Sequence, residues 1–196
     1  VRLNFWLPSG AVMALVVITG LVAVFSYHPA ATTGEDLMSL IGGFSVLVAM
    51  MIGVATSLGI TSEFGHNTIR PTLAATPQRT MVFVAKAIVS VLFGLVVGTV
   101  AVASAYLVGK VLLSGRDAEV GLSGDDGSLA TFFGVIILAG LLALFGYGVG
   151  LLMRNGPAAV SMIILWPLLI EGILNAVLSV AGVDEAQRAL PYTSAF

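Results

Sequence analysis

Charge is what this sequence has least of. Only 9% of its 196 residues are Asp, Glu, Lys or Arg, where a soluble domain carries about 25%. With 58% hydrophobic residues and a mean hydropathy of +1.08, the chain has too little polar material to cover a water-facing surface. The class this implies is an all-α integral membrane protein, a polytopic helical bundle in contact with the lipid bilayer. Cysteine is absent, which excludes a disulfide framework, a thiol nucleophile and a Cys-ligated metal. There are two histidines, His28 and His66, and neither has a second ligand at metal-binding helical spacing, so no metal site is expected. The formal net charge of −2 offers no basic patch for nucleic acid. Enzyme signatures are missing too: no His-Glu-x-x-His, no Gly-x-Ser-x-Gly and no phosphate loop with its Lys-Ser/Thr pair. Gly146-Tyr147-Gly148-Val149-Gly150 is glycine-rich, but it follows no strand and lies inside an apolar run. The acids Asp117, Glu119, Asp125 and Asp126 lack the spacing of a calcium loop and read as a solvated outer loop.

What the chain does have is long apolar runs. Five are long enough to cross about 30 Å of hydrocarbon: Trp6–Phe25, Leu37–Ile60, Met81–Val108, Leu129–Met153 and Pro157–Ala181. In lipid each must satisfy its own backbone hydrogen bonds, so each is expected to be helical despite many β-branched residues. They form a single transmembrane domain over residues 1–196. Placing the amino terminus inside puts Arg2, Arg70, Arg79, Lys86 and Arg154 on the cytoplasmic side, against Lys110, Arg116 and Arg188 outside. This is the direction of the positive-inside rule. The polar island Thr61–Lys86 is then cytoplasmic, with a candidate docking segment over 61–80. The link Arg154-Asn155-Gly156 is tight. Asn155 is expected to cap the next helix, and Pro157 suits its first turn, so the fourth and fifth runs make an antiparallel hairpin.

Small residues recur at helix-packing spacing: Gly94, Gly98, Ala101, Ala105 and Gly109, and again Gly146 and Gly150. Such positions let helix backbones approach closely, and close packing is the expectation for them. Glu171 is the one ionisable residue deep in a run, preceded by Trp166 and Pro167 and followed by Asn175. A carboxylate there costs about 2.5–3.5 kcal/mol on insertion scales. Two readings stand beside each other. In one, Glu171, Trp166 and Asn175 line a translocation path or an interface between two copies. In the other, Glu171 snorkels to the outer surface or bonds a neighbouring helix end.

The island has a recognisable order of residues: Ser62-Glu63-Phe64, Gly65-His66, Thr68-Ile69-Arg70, Thr72-Leu73, Thr76-Pro77-Gln78-Arg79, then Lys86. Further on come Met153-Arg154-Asn155, Ala158-Ala159, Trp166 and Glu171, and finally Leu190-Pro191. This series resembles the type-2 ABC transporter permeases, the membrane subunits of many bacterial exporters. The resemblance implies a multi-pass protein of the bacterial cytoplasmic membrane with six crossings, so a sixth is expected beyond Phe196. It implies a homodimer, or a pair with a close homologue, resting on cytoplasmic ATP-binding subunits. ATP and Mg would be bound by those subunits, with no cofactor in this chain. It places the coupling contact on Glu63, Phe64, Thr68, Ile69, Arg70, Leu73, Pro77 and Arg79. Apolar Phe64, Ile69 and Leu73 suit a groove, and Glu63, Arg70 and Arg79 suit charges at its rim.

A second class fits the same residues: a non-transporting membrane anchor or sensor that uses the island to recruit a cytoplasmic protein. It needs no pathway and gives Glu171 no function. A third, an intramembrane enzyme using Glu171 as acid or base, requires another polar group at the same depth, and only Trp166 and Asn175 lie nearby.

Overall fold

The computed structural model describes residues 10, 34–66, 68–69, 79–114, 128–166 and 173, and every element among them is helical. Four helices follow in order: α1, Gly34–Gly65; α2, Arg79–Ser114; α3, Ser128–Met153; and α4, Gly156–Leu165. Three are long and apolar enough to cross a membrane, over Ile41–Gly65, Thr80–Leu112 and Ser128–Met153. These are the second, third and fourth runs of the sequence reading. The chain has the character of a helical membrane protein. The first run, and the fifth beyond Trp166, lie outside the described residues apart from Gly10 and Ile173, so three of the five expected crossings fall among the described residues.

The helices outrun the hydrophobic runs that announced them. α1 continues five residues past Ile60 to Gly65, and α2 starts at Arg79 and continues to Ser114. Hydropathy marks where lipid ends, whereas a helix stops where its hydrogen bonds stop. At the end of α1 the chain closes on itself. The His66 N–H donates to Ser62 O at 2.9 Å and the Thr68 N–H to Glu63 O at 3.1 Å. The second bond has a six-to-one spacing, which satisfies a carbonyl left open at the helix end. The Thr68 hydroxyl donates to the same carbonyl at 3.3 Å.

α1 and α3 run parallel and meet through backbone. Gly42 lies against Thr131, Gly53 against Leu142 and Gly146, and Gly150 against Ser57 and Ile60. A methyl group on Gly146 would collide with the Gly53 backbone. Thr56 crosses this seam. Its hydroxyl contacts Gly53 O on its own helix and Ala143 O on α3, both at 2.9 Å. Most other described hydroxyls turn back to a carbonyl three or four residues earlier, as with Ser57, Ser90, Thr99 and Ser104. That is how a hydroxyl is satisfied on a helix without water.

α2 runs antiparallel to α3. Gly94 sits on Ala139 and Ala143, where a Cβ would come within 2.6 Å, and Gly98 sits on Ala139. The packing role expected of these small residues is therefore observed. The central core joins the three helices through Ile41, Ile52, Val102, Ala105 and Ala143. Burial is uneven. Half of the apolar window of α1 is buried within the chain, but only 11% of that of α2. Met81, Val84, Ile88, Leu92, Val96 and Val100 line the exposed side of α2.

The turn from α3 to α4 takes two residues. Arg154 adopts φ 50°, uncommon for a side chain other than glycine, and its N–H bonds Gly150 O at 3.1 Å. Asn155 occupies the N-cap position of α4 and Pro157 the first turn. The expected side-chain cap is not made. Asn155 is extended, at φ −139° and ψ 121°, and it is its backbone carbonyl that accepts from the Ala159 N–H at 3.0 Å. α4 packs on both α1 and α3.

Candidate functional site

The end of α1, the start of α2 and the end of α3 come together, and the polar residues of the chain's described part concentrate there. Glu63 projects from the last turn of α1. Lys86 lies about two turns into α2. Their side chains form an ion pair, a link across 23 positions of sequence. Beside it the Arg154 guanidinium lies over the Phe64 ring, 5.8 Å from its centroid, a cation–π contact worth about 0.5–1 kcal/mol where it is exposed. Tyr147 on α3 donates its hydroxyl to Phe83 O on α2 at 2.9 Å.

Between α1 and α2, with Tyr147 of α3 at the back, is a cavity of about 480 Å³. It is lined on one side by Thr56, Ile60 and Glu63, and on the other by Lys86, Val89 and Phe93. Glu63 to Thr56, and Lys86 to Phe93, each span seven residues, so the cleft extends about 10 Å along the helices from the ion pair. Val89 is 64% exposed, so the cleft opens to the outside of the chain.

Lys110 marks the far end of α2, with its ammonium 5.9 Å from the Tyr106 ring centroid. No charged residue lies between Lys86 and Lys110. The 24-residue rise is about 36 Å, close to the hydrocarbon thickness plus a margin for snorkelling. Glu63 and Lys86 therefore lie at one membrane surface and Lys110 at the other.

The residues expected to couple to a partner divide. Glu63 is engaged by Lys86, and Phe64 is half-buried beneath Arg154. Ile69, expected to fill a partner's groove, is turned into this chain and 7% exposed. Thr68 is exposed and closes the helix end. Arg70, Leu73 and Pro77 lie outside the described residues, as does the side chain of Arg79. Of the expected pathway residues, Trp166 is half-buried and meets the Phe145 ring edge-on at 6.3 Å between centroids; Glu171 and Asn175 lie outside the described residues. Sequence reasoning gave no role to Thr56 or Tyr147, and it counted Lys86 only as a cytoplasmic-side charge at the end of the island. An amphipathic count would not have found them, because each acts across a helix–helix contact.

Among the described residues, no group of His, Cys, Asp and Glu is arranged to hold a metal ion. Comparison of the chain with known families, with curated proteins and with solved structures gives no match.

Proposed function

We propose that the chain is the permease subunit of an ATP-driven exporter of a small or lipophilic substrate in the bacterial cytoplasmic membrane. It works as a pair with a second permease copy. The observation that carries this reading is the polar island, with its ordered Ser-Glu-Phe, Thr-Ile-Arg and Thr-Pro-x-Arg steps, set between two helices long enough to span. With no phosphate loop in this sequence, the energy comes from a partner or an ion gradient, and a short connector between spans is where a soluble ATP-binding subunit would reach the chain. The Glu63–Lys86 pair supports the reading mechanically, since it ties the end of one span to the start of the next. Movement applied to the connector then reaches α1 and α2 together. With Glu63, Phe64 and Ile69 engaged inside the chain, the partner contact rests on the remaining expected residues, Arg70, Leu73, Pro77 and Arg79.

The test is Arg70→Glu in the complex reconstituted with its ATP-binding subunit. Permease-stimulated ATP hydrolysis and transport are both lost while the chain still elutes as a folded species. Transport at the original rate rejects the exporter reading. A permease that still recruits a soluble protein but moves no substrate points to the anchor or sensor instead.

A further inference from the structure

The cleft beside the Glu63–Lys86 pair has the features of a binding site for an amphiphile, independently of the exporter reading. Its volume, about 480 Å³, lies within the roughly 300–1,000 Å³ of small-molecule sites. Its walls are mostly hydrocarbon: Ala55, Ile60, Ala85, Val89 and Phe93. Its mouth carries one charge of each sign. The Glu63 and Lys86 side chains keep 32% and 27% of their surface exposed, so both remain within reach of an incoming group. The hydroxyls of Thr56 and Tyr147, further in, are already committed to carbonyls, which leaves the interior apolar in character.

An apolar slot that opens sideways from a membrane-spanning helix, with its charged mouth at the surface, matches a lipid in orientation. The head sits at the interface and a chain lies between the helices. The pair of opposite charges selects the head. An anionic lipid would satisfy Lys86 and bring its phosphate against Glu63, and a cationic amphiphile would do the reverse. A zwitterion exchanges partners one for one and leaves no charge unpaired. We propose that the α1–α2 cleft binds a membrane phospholipid with a primary-ammonium headgroup, its phosphate on Lys86, its ammonium on Glu63 and an acyl chain against Ile60, Val89 and Phe93.

The experiment is native mass spectrometry of the full chain released from vesicles of equal parts phosphatidylethanolamine and phosphatidylglycerol. The original protein retains phosphatidylethanolamine about tenfold over phosphatidylglycerol, the factor one charge-assisted contact confers. Glu63→Gln removes that preference, whereas Lys86→Ala lowers the retention of both lipids, which share the phosphate. Ala85→Phe fills the slot with both charges in place and lowers total retention to a similar degree; Ser90→Leu does the same from the next turn, should Ala85→Phe elute as an aggregate. Lys110→Ala, at the opposite surface, leaves retention unchanged. The proposal is overturned if both lipids are held equally, if Lys110→Ala loses as much as Lys86→Ala, or if the filled cleft still holds lipid. It is also overturned if the slot is occupied by the chain's own first apolar run. With no native cysteine, a Val89→Cys variant carrying a second cysteine within residues 6–25 reads that out as an efficient cross-link.

Discussion

The seam between α1 and α3 and the cleft between α1 and α2 are built from opposite materials. The seam is backbone on backbone: Gly53 on Gly146, Ser57 on Gly150, and a threonine hydroxyl reaching across to Ala143 O. The cleft holds its helices apart, and one ion pair links them at its charged end. In lipid there is no hydrophobic force to press helices together, so contact area and a few polar links decide what stays joined. The first pair of helices is therefore a rigid unit. α2 is attached to it at Gly94 and Gly98, through Ala101, Val102 and Ala105 in the central core, at the Tyr147–Phe83 bond and at Glu63–Lys86, and its remaining side faces outward.

Substitutions can break this contrast. Gly146→Leu has the largest expected effect, because the added side chain meets the backbone of Gly53, which cannot rotate away. A loss of about 3 kcal/mol is expected, at the upper end of overpacking costs, and is read as a lowered melting midpoint in detergent by size-exclusion chromatography. If Gly146→Leu melts like the original protein, the seam is not the rigid unit. Tyr147→Phe comes next. It removes the hydrogen bond to Phe83 O and costs about 1 kcal/mol; Thr56→Val removes the seam hydroxyl and costs about 0.6 kcal/mol, the mean for such links in membranes. Smallest is the Glu63–Lys86 pair. Each side chain is near one-third exposed, so solvent screening leaves about 0.5 kcal/mol or less. Glu63→Gln loses this amount, and the exchange Glu63→Lys with Lys86→Glu recovers it. If the exchange restores stability and not stimulated ATP hydrolysis, the sign of the charge at position 63 is read by something outside this chain.

The sequence made the spanning helices legible because a run of apolar residues is a direct statement about lipid. It also made the small-residue contacts legible, since Gly94, Gly98, Gly146 and Gly150 have no other reason to recur at that spacing inside a helix. Helix ends were less readable. α2 runs six residues past Val108, because nothing in hydropathy forbids a helix from continuing into the surface layer. Asn155 is a good capping residue whose backbone rather than side chain accepts the bond. The site was least legible of all. Glu63 with Lys86 and Tyr147 with Phe83 are pairs of distant residues, 23 and 64 positions apart. Their meeting depends on how far one helix slides and turns against another, which local pattern does not record. Glu63 was assigned to a partner's rim; its ion pair with Lys86 gives it a contact inside the chain.

The two lysines of α2 have one further consequence. A helix with about 36 Å between its charged ends is slightly longer than a membrane interior of about 30 Å, and the difference is met by snorkelling lysines, by some tilt or by lipid drawn up around the helix. Thicker bilayers let it straighten, and thinner ones lay it over. Because Lys86 is fastened to Glu63, the lean pivots near that end, and the Lys110 end sweeps the wider arc. Bilayer thickness thereby becomes an input to the angle between α2 and its neighbours.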